Sequence, residues 1–139
     1  MIPRIDAGIV DTPLVPAQRT AGGDDRCGAV VDFVGVVRER DAGRRVAAID
    51  YSAHPSATGT LRAVAERFAR SPGVHAVRVW HRTGRLVVGD VVMVVSVAAE
   101  HRAQAFGAAQ AIVDAVKAQV PVWKRQEFAD GTHAWSGLP

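Results

Sequence analysis

Eight residues, Val91 to Ala98 (VVMVVSVA), form a nearly continuous apolar run. A half-exposed strand would alternate polar and apolar side chains, so a run without alternation predicts a strand covered on both faces. The rest of the chain must supply that cover. Two segments have helical spacing. From Ser56 to Arg70, Leu61, Val64, Ala65 and Phe68 recur at helical intervals, and the SPG of Ser71 to Gly73 stops the pattern. From His101 to Gln119, the side chains of Ala105, Phe106, Ala109, Ile112, Val113 and Val116, with Val120 just beyond, gather on one side, and Pro121 ends the segment.

Further strands are predicted at Ala29 to Arg38, Val46 to Ser52, Val74 to His81 and Val122 to Phe128. The last turns at Asp130 and Gly131 into a short return through His133 to Trp135. Between Thr83 and Asp90 a short apolar piece, LVV, is bracketed by Gly84 and Gly89. Glu39 to Arg45 reads as a solvated loop, and Met1 to Arg26, with three prolines, as extended chain and loop. This order predicts an α+β fold with an antiparallel sheet and two main helices. With 139 residues, 48% of them hydrophobic, the chain can bury one core and is short for two. One domain, residues 1–139, is expected, of which 1–27 are an irregular N-terminal segment.

Composition excludes several classes. No run of about 18 apolar residues is available to span a bilayer, and the start MIPRIDAGIVDTPL lacks the basic and apolar regions of a signal peptide, so a cytoplasmic protein is expected. A single cysteine, Cys27, cannot form an internal disulfide and offers no metal-ligand spacing; it reads as a small, half-buried residue before a strand. No metal and no cofactor is expected. The formal charge of +3 suits an anionic small molecule or an acidic protein surface at least as well as nucleic acid, for which no arginine-rich tail or zinc finger is present.

The segment KAQVPVWKR, Lys117 to Arg125, sets two lysines seven residues apart across a helix end, a proline and a tryptophan. An amine held beside an apolar ring and a second cation is a candidate for chemistry, since both surroundings favour its neutral, nucleophilic form. On a helix advancing about 100° per residue, Lys117 falls within about 20° of Phe106 and about 40° of Val113, at the margin of the apolar stripe and off the solvent face. The bland alternative is a lysine whose methylenes cover the core edge while its amine reaches water. Lys124 and Arg125 lie in the strand leaving that helix end, and a solvated strand face is the alternative for Lys124. His101 and Arg102 open a helix after the apolar strand, where free backbone N–H groups and a guanidinium favour an anion; an ordinary polar helix start is the alternative. Arg38 is either a strand-edge charge or an anion ligand. His54, His75, His81 and His133 show no ligand spacing and read as loop or packing residues, and Trp123 as core or interface.

Taken together, GAVVDFVGVVRERD, YSAHPSA, HRTGRLVVGD, AAEHRAQAFGAAQAIVDAVK and VPVWKRQEFADGTHAW, in that order, resemble the catalytic large subunit of molybdopterin synthase, the MoaE family. The resemblance spans about Gly28 to Trp135. It implies an α/β hammerhead-type fold and a homodimer carrying a small ubiquitin-like sulfur-carrier subunit (MoaD-like) at each end, as a heterotetramer. It also implies the activity: a C-terminal Gly-Gly thiocarboxylate on the small subunit supplies the dithiolene sulfurs that turn cyclic pyranopterin monophosphate (precursor Z) into molybdopterin. Two sulfurs are needed, so two thiocarboxylated tails are consumed in succession. Carried over, Lys117 and Lys124 match the family's catalytic lysines. Arg38, His101, Arg102, Arg125 and Gln126 match substrate-binding positions, as do Val36 and Val37, although Val36 stands where the family often has lysine and so offers backbone only. The short segment after Trp135 leaves contacts across a dimer in doubt. A non-catalytic adaptor that binds a ubiquitin-like tail is the rival reading, and it would be expected to have lost Lys117 or the His101–Arg102 pair.

Overall fold

In the computed structural model, residues 2–137 are described; Met1, Leu138 and Pro139, the ends of the expected 1–139 domain, lie outside them. The strands are β1 (Arg4–Val10), β2 (Ala29–Val36), β3 (Arg40–Asp41), β4 (Arg44–Ala53), β5 (Val74–Arg82), β6 (Gly84–Val87), β7 (Val91–Ala99), β8 (Val122–Phe128) and β9 (His133–Ser136), with helices α1 (Ala57–Ala69) and α2 (Arg102–Gln119). The α+β reading holds. One sheet has the order β1-β5-β7-β2, and a second runs β3-β4-β8-β9 with β6 also paired to β4.

The apolar run is β7, interior to the first sheet and buried from Val92 to Ala99. Its alternate residues Met93, Val95, Val97 and Ala99 face a core shared with Leu61, Val64 and Ala65 of α1 and Ala105, Ala109, Ile112 and Val116 of α2. Small alanines on both helices permit close approach to the sheet, and the β-branched strand residues fill the space between. On the opposite face Ala98 and Ala76 pack with Ala21. The cover on that face is the N-terminal segment itself. Leu14 and Ala21 are buried, the Ala21 N–H donates to Ser96 Oγ at 2.7 Å, and the Arg19 guanidinium lies 3.9 Å from the Trp80 ring centroid. The Ser96 hydroxyl in turn donates to Asp32.

This corrects the expectation of an irregular residues 1–27. Arg4–Val10 is a strand in parallel register with β5, from Arg4 opposite Ala76 to Val10 opposite Arg82, so the first sheet is not wholly antiparallel. Its ladder partner lies more than sixty residues away in sequence, beyond what local periodicity reports. The expected loop at Glu39 to Arg45 is also ordered. It is a hairpin with a two-residue turn, Ala42 and Gly43, both at positive φ (50° and 78°), the mirror-image geometry that matches strand twist. Phe106, read as core, is 63% exposed, because the buried stripe of α2 is centred on Ala105, Ala109, Ile112 and Val116. Lys117 shares its side of the helix and is exposed as well, against the expectation that it lies off the solvent face.

The second sheet has a small core of its own: Val37, Val46, Ile49, Leu86, Val92 and Phe128, with Tyr51 packed against it. Among the described residues no helix is long and apolar enough to cross a membrane.

Candidate active site

A cleft of about 730 Å³ opens where the two sheets meet the C-terminal end of α2. That volume suits a small-molecule site. One wall is the end of β2 and the residues after it, including Val36, Val37 and Arg38; another is Val116 and Lys117 of α2; β8 contributes Lys124 and Gln126. The hairpin adds Arg40 and Asp41, and Tyr51 and His81 line the cleft from β4 and β5. Pro121 separates α2 from β8, so the chain reverses at the helix end and returns Lys124 to the cleft that Lys117 borders.

Strand alternation divides β8. Lys124 and Gln126 line the cleft and Gln126 is 6% exposed, whereas Arg125 belongs to an ion-pair network outside it, 2.8 Å from Glu127 and 3.9 Å from Asp50. Arg85 joins the same two carboxylates. The guanidinium expected to contact substrate is thus committed to neighbouring strands. Val37 is committed too: its N–H donates to the Asp90 carbonyl at 3.0 Å, and its carbonyl accepts from the Gly89 N–H at 2.8 Å. It gives the cleft a wall, while the exposed Val36 lies at a register shift opposite Val91.

His101 and Arg102 are at the other end of α2, outside the cleft lining. Fifteen residues of helix put Arg102 about 22 Å from Lys117. His101 is the residue before the first turn; its N–H donates to Gln104 Oε1 at 3.1 Å. The neighbouring Glu100 accepts from His75 Nε2 at 2.9 Å, and the Glu100 N–H donates to the Gly73 carbonyl. Of the sequence-predicted residues, one cleft therefore gathers Val36, Val37, Arg38, Lys117, Lys124 and Gln126, and leaves out His101, Arg102 and Arg125.

Three lining residues had no sequence signal strong enough to single them out as functional. Asp41 Oδ1 is 3.3 Å from Arg38 Nη2. The Gln126 amide, then the charges of Lys124 and Arg38, hold its carboxyl below the ordinary range against the opposing effect of burial. The Asp-x-Gly spacing of Asp41 and Gly43 is the clue that could have marked a hairpin bringing a carboxylate inward. His81 is 7% exposed, and burial pushes its imidazole below the usual histidine range, so it is neutral at pH 7. With Nδ1–H directed to the Arg82 carbonyl at 2.8 Å, Nε2 is the acceptor of that tautomer. Tyr51 meets the His81 ring edge to face at 5.3 Å, and burial raises its hydroxyl pKa. The lining is thus cationic at its rim and holds neutral proton-carrying groups within.

The chain is similar to several known proteins. The family model described as MoaE protein matches residues 9–119. A Mycobacterium tuberculosis protein named molybdopterin synthase catalytic subunit 1 is 40% identical over 112 residues, 79% of this chain and 75% of that one. A Nostoc molybdopterin synthase catalytic subunit is 33% identical over 117 residues, 83% of this chain and 71% of its own. Among solved structures, molybdopterin synthase from Staphylococcus aureus superposes with a TM-score of 0.83 at 30% identity, covering 93% of this chain and 95% of the other. With the family model, the sequence relatives and the fold in agreement, the chain belongs to the MoaE family of molybdopterin synthase catalytic subunits.

Proposed function

We infer that this protein is the catalytic subunit of a molybdopterin synthase, converting cyclic pyranopterin monophosphate to molybdopterin with sulfur from the C-terminal thiocarboxylate of a small ubiquitin-like subunit. The observation that carries this reading is the single cleft bordered by Lys117, Lys124 and Arg38. Opening a cyclic phosphate and adding sulfur to a pterin side chain require proton transfer and a place for negative charge. Arg38 is the phosphate ligand in this reading. Its guanidinium is 77% exposed and can fork onto two oxygens. Lys117 is the general acid and base, or a transient amine nucleophile toward the tail carbonyl. Lys124, half-buried beside the Gln126 amide, positions the substrate.

His101 and Arg102 take a different part. Because a helix length of about 22 Å separates them from Lys117, they cannot hold the same small anion within one copy. In a homodimer, itself the centre of a heterotetramer with two small subunits, they would serve the cleft of the second copy. Arg125 acts indirectly, bracing β8 through Asp50 and Glu127.

The test is product formation from cyclic pyranopterin monophosphate by the protein plus a thiocarboxylated small subunit. Lys117→Ala should lower the rate about 10²- to 10⁴-fold, the range for loss of a general acid–base group. Normal turnover by that variant would remove Lys117 from the chemistry. No product from the wild type, despite a stable complex with the small subunit, would favour the adaptor reading.

A further inference from the structure

We propose that Asp41 is the cleft's internal counter-anion, a positioning residue whose carboxylate competes with the substrate's phosphate for Arg38 and Lys124. This rests on the reading of the cleft as an anion site. Among the described lining residues are four cationic side chains, Arg38, Arg40, Lys117 and Lys124, and one carboxylate, Asp41. The carboxylate sits among the groups assigned to the ligand: 3.3 Å from the Arg38 guanidinium, facing the Gln126 amide and within the field of Lys124.

Its support is slight enough to yield. The strand that carries it has two ladder positions, Arg40 opposite Arg45 and Asp41 opposite Arg44, closed by the Ala42–Gly43 turn. The Arg38–Asp41 pair is water-exposed, at 77% and 36% of the two side chains, and pairs of that kind hold weakly. A cyclic phosphate carries one negative charge, as the carboxylate does, and meets Asp41 on equal terms, whereas the monoester left when the ring opens, like inorganic phosphate, brings more charge and more acceptor oxygens to the same donors. Asp41 thereby keeps like charges apart and the donors oriented, at the cost of some anion affinity. That lower affinity also limits how firmly the cleft retains unrelated anions.

The experiment titrates inorganic phosphate into the full chain, followed by backbone amide NMR shifts, for the wild type, Asp41→Asn, Arg38→Ala and the double variant. Asp41→Asn should bind phosphate about fivefold more tightly, the effect of removing one unit charge at contact distance in a water-filled cleft. Arg38→Ala should weaken binding in both backgrounds. In the assembled synthase, Asp41→Asn should also lower KM without raising kcat, a split that damage to the hairpin alone would not produce. Equal or weaker phosphate binding by Asp41→Asn, with binding still dependent on Arg38, overturns the counter-anion proposal and spares the anion site. Absence of Arg38-dependent binding in every variant overturns both.

Discussion

The helix-covered side of the first sheet and the cleft beside the second sheet differ in how their side chains are used. On the first, Leu61, Val77, Val95, Val97 and Ile112 are fully buried and pack in one apolar cluster. Around the cleft, half-buried and charged residues are joined by ion pairs and single hydrogen bonds, and the small core behind them holds Val46, Ile49, Leu86 and Phe128. Apolar side chains of the packed side tolerate exchange for others of similar volume; the cleft side depends on which residue stands where. Lys117 and Val116, adjacent on α2, mark the boundary: both border the cleft, and Val116 is at the same time part of the apolar core.

The largest break in that contrast should come from Leu61→Ala. Leu61 is 0% exposed, and its removal should cost about 2–5 kcal/mol of stability in denaturant unfolding. The folded fraction should nonetheless keep its turnover at low temperature. Loss of turnover per folded molecule would show the two regions to be coupled through α1.

A smaller effect tests the interior of the cleft. His81 has its pKa depressed by burial, so the unfolded chain takes up a proton that the native chain refuses. Its contribution to stability is fully present above the unfolded value of about 6.5 and is lost as pH falls below that toward the depressed native value. His81→Leu, which cannot titrate, should therefore flatten the fall in Tm between about pH 7 and pH 5. An unchanged slope would assign the acid sensitivity elsewhere.

The smallest effect is at the hairpin tip. Ala42 adopts φ 50°, a left-handed conformation that costs an alanine more than an asparagine. Ala42→Asn should raise stability by about 0.5–1 kcal/mol. A loss of stability on that substitution would mean that the alanine side chain matters to the turn for another reason.

The two regions were also unequally legible. Both helices follow from apolar periodicity, and the strands β2, β4, β5, β7 and β8 from short apolar and β-branched runs, the one at β7 continuous because both its faces are covered. β1 does not, since its place is set by a parallel partner remote in sequence. The lysine pair was legible through its spacing around Pro121. Asp41 and His81 were not, because what makes them notable is their surroundings: an amide and two cations for one, a tyrosine ring and burial for the other. Arg125 shows the converse, a suggestive residue that strand alternation turns away from the cleft.

The parallel seating of Arg4–Val10 against Val74–Arg82 has a consequence for how the molecule is made. β1 leaves the ribosome before β5 and cannot pair until β5 has emerged, and the segment that follows β1 cannot cover Ser96 until β7 has too. Closing so long a loop is slow relative to forming hairpins. During synthesis the N-terminal stretch should therefore wait, unpaired, and its docking should be among the last steps of assembly, following the β5–β7 ladder that receives it.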